Sequence, residues 1–208
     1  HASDLLGHPD LPEVGPWLEV LERTVAIVWL ALHDPRPPGT SPPLPKPILG
    51  GVELAERTAL LTGGGGRLGR AIAIELAHAG AKVGVVDQRA DAAAEVAELV
   101  RAAGGTAVHA QADVSRSVDV EAAVDAVERE LGPVDVLVNA AGIFPNRPLL
   151  EMDEEEWDRV FAVNTRGTML CCRAVARRLV ARGAPGAIVN VSSGAATSAR
   201  AGGSHYTG

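Results

Sequence analysis

An α/β fold built on a doubly wound parallel sheet with helices on both faces is what the sequence predicts, and three observations carry that reading. From Thr58 onward, short β-branched runs alternate with Ala/Glu/Arg-rich amphipathic stretches, the pattern of repeated strand–helix units. Glycines stand just past the ends of those stretches, where a helix needs a left-handed cap. Aromatic residues make up only 3% of the chain, so its core must be Ala, Val, Leu and Ile, the filling of a parallel sheet covered on both sides. The strands expected in order are Thr58 to Thr62, Val83 to Asp87, Ala107 to Ala112, Val134 to Asn139 and Ala187 to Val191. Between them fall helices at Leu68 to Ala79, Ala90 to Ala103, Ser117 to Leu131 and Glu154 to Arg182, followed by Gly80, Gly104, Gly132 and Gly183. Right-handed crossovers make this a Rossmann-type sheet.

Residues 1–50 differ in character. Ten of the fourteen prolines lie there, and Pro35 to Pro47 reads as an extended linker, so a domain boundary falls near Gly50 and residues 51–208 form the Rossmann-type domain. Upstream, Trp17 to Leu32 reads either as one amphipathic helix, with Leu18, Leu21, Val25 and Val28 on a face, or as a poorly ordered extension. The apolar run Val25 to Leu32 spans eight residues, whereas a bilayer span needs roughly 20. Asp4, Asp10, Glu13, Glu19 and Glu22 outnumber Arg23 ahead of it, the opposite of a secretory leader.

The net charge of −7 and the presence of only two lysines, Lys46 and Lys82, argue against a nucleic-acid partner. A small-molecule substrate is the expected partner, with no membrane. Cys171 and Cys172 are adjacent, a geometry that rarely closes a disulfide and offers no metal site, so the expectation is a reducing cytoplasm, no metal, and two cysteines used for packing.

The first strand runs into Thr62-Gly63-Gly64-Gly65-Gly66-Arg67-Leu68-Gly69, immediately before a helix. A glycine-rich turn in that place lets backbone amides and the positive helix end approach a pyrophosphate; the alternative, a flexible loop, is disfavoured by the strand before it and the helix after it. Asp87 closes the second strand, where a Rossmann fold needs an acid to hold the adenosine ribose hydroxyls, a solvated turn aspartate being the alternative. An acid there also repels a 2′-phosphate. The expected cofactor is therefore NAD, with NADP less favoured.

At this point the residues resemble the classical short-chain dehydrogenases/reductases, over about Val52 to Gly208. Gly63, Gly66, Leu68 and Gly69 fall in a segment similar to that family's TGxxxGxG cofactor turn, with Arg67 standing where the middle glycine would be. Asp113-Val114 looks like its adenine-contacting pair, and Asn139-Ala140-Ala141-Gly142 matches its NNAG or NAAG element. Asn164 sits where the family keeps an asparagine of a proton relay. Ser193 and Tyr206 stand thirteen residues apart, the family's interval between catalytic serine and tyrosine.

The resemblance implies an NAD(P)-dependent oxidoreductase transferring hydride between a nicotinamide and a secondary alcohol or ketone, such as a 3-oxoacyl thioester, a polyol or a steroid-like ketone. Tyr206 would be the acid/base group, Ser193 would hold the substrate oxygen, and Asn164 would help order a water chain. Asn139 is read as structural rather than catalytic. A free tyrosine has a pKa of about 10, so the phenolate needs positive charge beside it. The family supplies that charge from a lysine four residues after the tyrosine, here position 210, beyond Gly208. A C-terminally truncated member is thus expected, forming a homo-oligomer when complete. The alternative is a non-catalytic dinucleotide-binding module. Arg67 is a variant also met in members that use NADPH, and it could contact the pyrophosphate. His109 and His205 are read as satisfied or solvated residues rather than bases.

Overall fold

The computed structural model describes residues 54–196 and 201–207. The expected helix over Trp17 to Leu32, the proline linker and the boundary near Gly50 lie outside the described residues.

Five parallel strands form one sheet: β1 (Thr58–Thr62), β2 (Lys82–Asp87), β3 (Thr106–Gln111), β4 (Val134–Asn139) and β5 (Ala187–Asn190). Their spatial order is β3-β2-β1-β4-β5. The crossovers leave β1 in opposite directions, toward β2 on one side and β4 on the other, and the crevice this creates lies beyond the strands' C-terminal ends. Register places those ends together: Thr62 pairs with Val86 and with Asn139, and Asn139 pairs with Asn190.

The connecting helices are α1 (Arg67–His78), α2 (Ala90–Ala102), α3 (Ser117–Leu131), α4 (Glu154–Phe161), α5 (Thr168–Arg182) and the single turn α6 (Ser204–Thr207). Strand residues alternate between two apolar layers because successive side chains point to opposite faces. Leu61, Val83, Val85, Val136 and Val138 pack against Ile72 and Leu76 of α1 and Val96 and Val100 of α2. Leu60, Val86, Val134 and Leu137 pack against Val120, Val124 and Val127 of α3 and Leu170, Cys171 and Val175 of α5. Within β2, Gly84 lets α3 come close; a Cβ there would lie 2.5 Å from Val127 Cγ1. On the outer surface Arg178 of α5 ties α3 down through Glu121 at 2.7 Å and Glu128 at 3.3 Å.

One element departs from the sequence expectation. The helix expected without interruption from Glu154 to Arg182 contains a π-helical stretch, Ala162–Gly167, between α4 and α5. Its last residue, Gly167, is buried against Val114: an added Cβ would lie 2.8 Å from Val114 Cγ2. The surplus residue of a π-turn accommodates that close approach, and such turns concentrate at functional sites.

Cys171 and Cys172 are both free. Cys171 sits in the core, where burial, with a smaller contribution from Cys172, pushes its thiol up to about 12. Only the thiolate is nucleophilic. Iodoacetamide at pH 8 is therefore expected to leave Cys171 unmodified in the native protein and to label it after denaturation, as read by peptide mass spectrometry; rapid native labelling would refute its burial.

Candidate functional site

The β1–α1 turn is shaped by backbone rather than by side chains. Gly63 adopts φ +65°, and an added Cβ would meet Ala141 Cα and N at 2.6 Å. Gly64 N donates to Val86 O at 3.0 Å and Gly66 N to Gly63 O at 3.1 Å, folding the turn back on the sheet. Gly69 lies directly over it, so that a Cβ there would collide with the Gly63 and Gly64 backbone. No side chain caps α1 at Gly66, whose carbonyl oxygen accepts the first helical bond from Arg70 N at 2.9 Å. Arg67 is exposed at the first helical position and Leu68 half-buried behind it. The result is a tight glycine-lined cradle with no side-chain obstruction and an exposed arginine at its rim.

Asp87 closes β2 beside this turn. Its Oδ2 accepts from Gly65 N and its Oδ1 from Arg89 N, both at 3.0 Å, so the residue expected at the ribose also fixes the glycine turn. After β3, Asp113 Oδ1 accepts from Ser115 N at 2.9 Å and Ser115 Oγ at 2.7 Å, while Val114 is buried and supports Gly167.

The Asn139–Gly142 segment continues β4 along the cradle. Ala140 N donates to Thr62 O and Ala141 N to Thr62 Oγ1, each at 3.3 Å. Asn139 is buried; its Nδ2 donates to Asn190 Oδ1 at 2.8 Å and approaches Cys172 Sγ at 3.3 Å. It therefore joins β4 to β5 through a side chain on the neighbouring strand. Gly142 is exposed at the crevice.

The loop after Gly142 gathers the remaining candidates. Asn164, inside the π-helical stretch, grips Ile143 with both amide atoms: Oδ1 accepts from Ile143 N at 2.9 Å and Nδ2 donates to Ile143 O at 2.8 Å. Asn164 O accepts from Thr168 Oγ1 at 2.8 Å. Tyr206 packs its ring on Phe144, the next residue, with centroids 6.1 Å apart and a tilt of 52°. Ser193 follows β5, the neighbour of β4, and its Oγ accepts from Ala195 N at 3.2 Å. The turn Gly194–Ala196 packs against α6, bringing the Ser193 and Tyr206 segments together. Two histidines were expected to be satisfied or solvated. His109 lies on the edge strand β3, whereas His205 is buried and neither of its ring nitrogens has a hydrogen-bond partner among the described residues, so it is neither satisfied nor solvated. Sequence reading passed over Phe144, Arg147 and Glu156 altogether, although Phe144 is one of only two phenylalanines in the chain.

Among the described residues no helix is long and apolar enough to cross a membrane, and no group of three or more His, Cys, Asp or Glu is arranged to hold a metal ion.

A Rossmann sheet with a glycine-rich turn at its switch point and polar residues converging on the same edge is the arrangement in which open α/β sheets take ligands. The family model described as short chain dehydrogenase matches residues 57–208, and the chain belongs to that family, whose members bind a nicotinamide dinucleotide. The chain is 40% identical over 141 residues to a D-threitol dehydrogenase of Mycolicibacterium smegmatis, a match covering 68% of this chain and 54% of that protein. It is 39% identical over 150 residues to a (3R)-3-hydroxyacyl-CoA dehydrogenase of Mus musculus, covering 68% and 58%. The crystal structure of a short-chain type dehydrogenase/reductase from Mycobacterium marinum superposes with a TM-score of 0.72 at 32% identity, over 75% of this chain and 64% of that one. The chain thus spans about half the length of the curated relatives it matches.

Proposed function

We propose that the full-length protein is an NAD-dependent oxidoreductase interconverting a secondary alcohol and its ketone. The observation that carries this reading is the meeting, at one end of the sheet, of the Gly63–Gly69 cradle with the segments bearing Ser193 and Tyr206. Gly63, Gly66, Arg67, Leu68 and Gly69 would hold the pyrophosphate, Asp87 the adenosine ribose, Asp113 and Val114 the adenine side. Asn139, Ala140 and Gly142 would form the wall beneath the nicotinamide. A bound nicotinamide supplies or takes up a hydride at the substrate carbon.

The chain's own residues then do the rest. The Ser193 hydroxyl donates to the substrate oxygen and fixes its approach. The Tyr206 hydroxyl gives a proton to that oxygen during reduction and accepts it during oxidation. Asn164 braces the Ile143 backbone, and with it the loop on which Tyr206 leans. The relatives' names support either a polyol or a 3-hydroxyacyl thioester as the alcohol. Two free cysteines support a reducing compartment such as the cytoplasm, and exposed Met169 and Val180 on α5 support self-association through that helix.

The test is titration with NADH and NADPH by nicotinamide fluorescence, followed by turnover of D-threitol and (3R)-3-hydroxybutyryl-CoA. The Asp87 carboxylate facing a 2′-phosphate predicts NADH tighter by at least about tenfold, or ~1.4 kcal/mol. Asp87→Ser should narrow that gap from both sides, because Gly65 N loses its acceptor as the repulsion is relieved. Preference for NADPH in the unaltered protein would assign the dominant role to Arg67 instead.

A further inference from the structure

The segment Ala201–Thr207, which carries Tyr206, is seated by one loop and one helix. Arg147 N donates to Gly202 O at 2.8 Å. The Asn146 amide nitrogen, turned toward the same segment, reaches the carbonyls of Ala201 and Gly202 at 3.2 Å. Gly202 adopts φ +75°, and a Cβ there would run into the Asn146 side chain, so no other residue fits this seat without strain.

Beneath these backbone contacts lies an ion pair with a buried histidine against it, a cluster that hydride transfer does not require. Glu156, in the first turn of α4, is held there by the Asp153 cap, whose Oδ1 accepts from Glu156 N at 2.6 Å. Its own Oε1 accepts from Arg147 Nε at 3.0 Å and lies 3.3 Å from His205 Nε2. The His205 side chain is fully buried and that of Glu156 is 8% exposed. The Arg147 guanidinium keeps the Glu156 carboxyl below the usual carboxylate range, with burial opposing it and His205 adding to it. The loop before α4, α4 itself and the distant α6 therefore meet at one carboxylate, and the residue after the histidine is Tyr206.

An ion pair between the buried Glu156 carboxylate and the half-exposed Arg147 adds little net stability, because desolvation offsets the attraction, but breaking it strands the carboxylate, so the pair holds the loop and α4 in one arrangement. We propose that Arg147, Glu156 and His205 act as positioning residues that set the place of the Tyr206 hydroxyl over the substrate. This rests on the reading of Tyr206 as the acid/base group. The clamp acts through α6 and leaves the dinucleotide cradle, at the other end of the site, untouched.

Tyr206 is the only tyrosine in this sequence, so a 13Cζ-tyrosine label gives it a single resonance. In Glu156→Gln and His205→Gln that resonance is expected to move or broaden while the amide signals of Gly63, Gly64 and Gly65 stay in place. Arg147→Lys, which keeps a cation beside Glu156, should retain the native resonance. In the full-length protein, kcat with NAD and D-threitol or (3R)-3-hydroxybutyryl-CoA should fall by about 10²-fold in Glu156→Gln, the scale of a 1 Å misplacement, with NADH affinity unchanged. An unmoved Tyr206 resonance in both Gln variants overturns the clamp, as does loss of NADH affinity in step with kcat. Tyr206→Phe separates the two ideas: if it still turns over, the acid/base reading fails and the clamp is judged on the resonance alone. Should Glu156→Gln not fold, His205→Gln decides.

Discussion

Gly69→Ala is expected to abolish dinucleotide binding, raising the NADH dissociation constant by at least about 10²-fold, or ~2.7 kcal/mol. The added methyl would stand 2.6 Å from Gly64 Cα and 2.9 Å from Gly63 C, and closer still to Gly63 O. All three obstacles are backbone, so no side chain can swing aside, and relief requires the β1–α1 turn to open or α1 to slide outward. Either movement displaces the amides that face the pyrophosphate. Overpacking of this kind also lowers stability, by about 1–3 kcal/mol. Gly104→Ala is the matched comparison: Gly104 has φ +87° but nothing within 4 Å of an added Cβ. It should cost only the left-handed strain of about 1–2 kcal/mol and leave NADH binding as it was. Thermal melts and NADH fluorescence on both variants separate the two effects. Retention of near-native affinity by Gly69→Ala would show that the turn is not the phosphate cradle.

Tyr206→Phe removes one oxygen and nothing else. The phenylalanine ring keeps the tilted contact with Phe144, so the segment should remain seated and NADH affinity unchanged. Turnover in the full-length protein should fall by about 10²–10⁴-fold, the contribution of a positioned acid/base group. Ser193→Ala should act in the same direction, with a higher KM for the alcohol because the hydroxyl contacts substrate before reaction as well as during it. A Tyr206→Phe protein that kept more than about a tenth of its kcat would remove the phenol from the chemistry.

The central strands β1, β2 and β4 were legible because parallel strands buried on both faces read as Val- and Leu-rich runs closed by a polar residue, while the edge strands β3 and β5, half-exposed, were placed by their position between helices. β1 and β4 match the sequence reading residue for residue, and β2, β3 and β5 differ by one residue at their ends. The tight β1–α1 turn was equally legible, since its close backbone approaches are written into a contiguous glycine run. The π-helical stretch was not. Its cause is tertiary, the approach of Gly167 to Val114, and a single surplus residue barely disturbs the apolar pattern of Glu154 to Arg182. Asn164 was singled out, but its bidentate grip on the Ile143 backbone depends on the shape of a loop that no spacing reveals. Glu156 is one of three consecutive glutamates; only the packing of α6 against α4 distinguishes it from its solvated neighbours. His205 looked like any loop histidine for the same reason.

That surplus residue makes the stretch Ala162–Gly167 a phase shifter between two helices. A π-turn carries one more residue through the same rotation than an α-turn does, so the surplus is absorbed and both α4 and α5 keep their buried faces inward. Wound as regular α-helix at the same length, with about 100° per residue, the stretch would instead turn Leu170, Cys171, Ala174, Val175 and Leu179 off the sheet together.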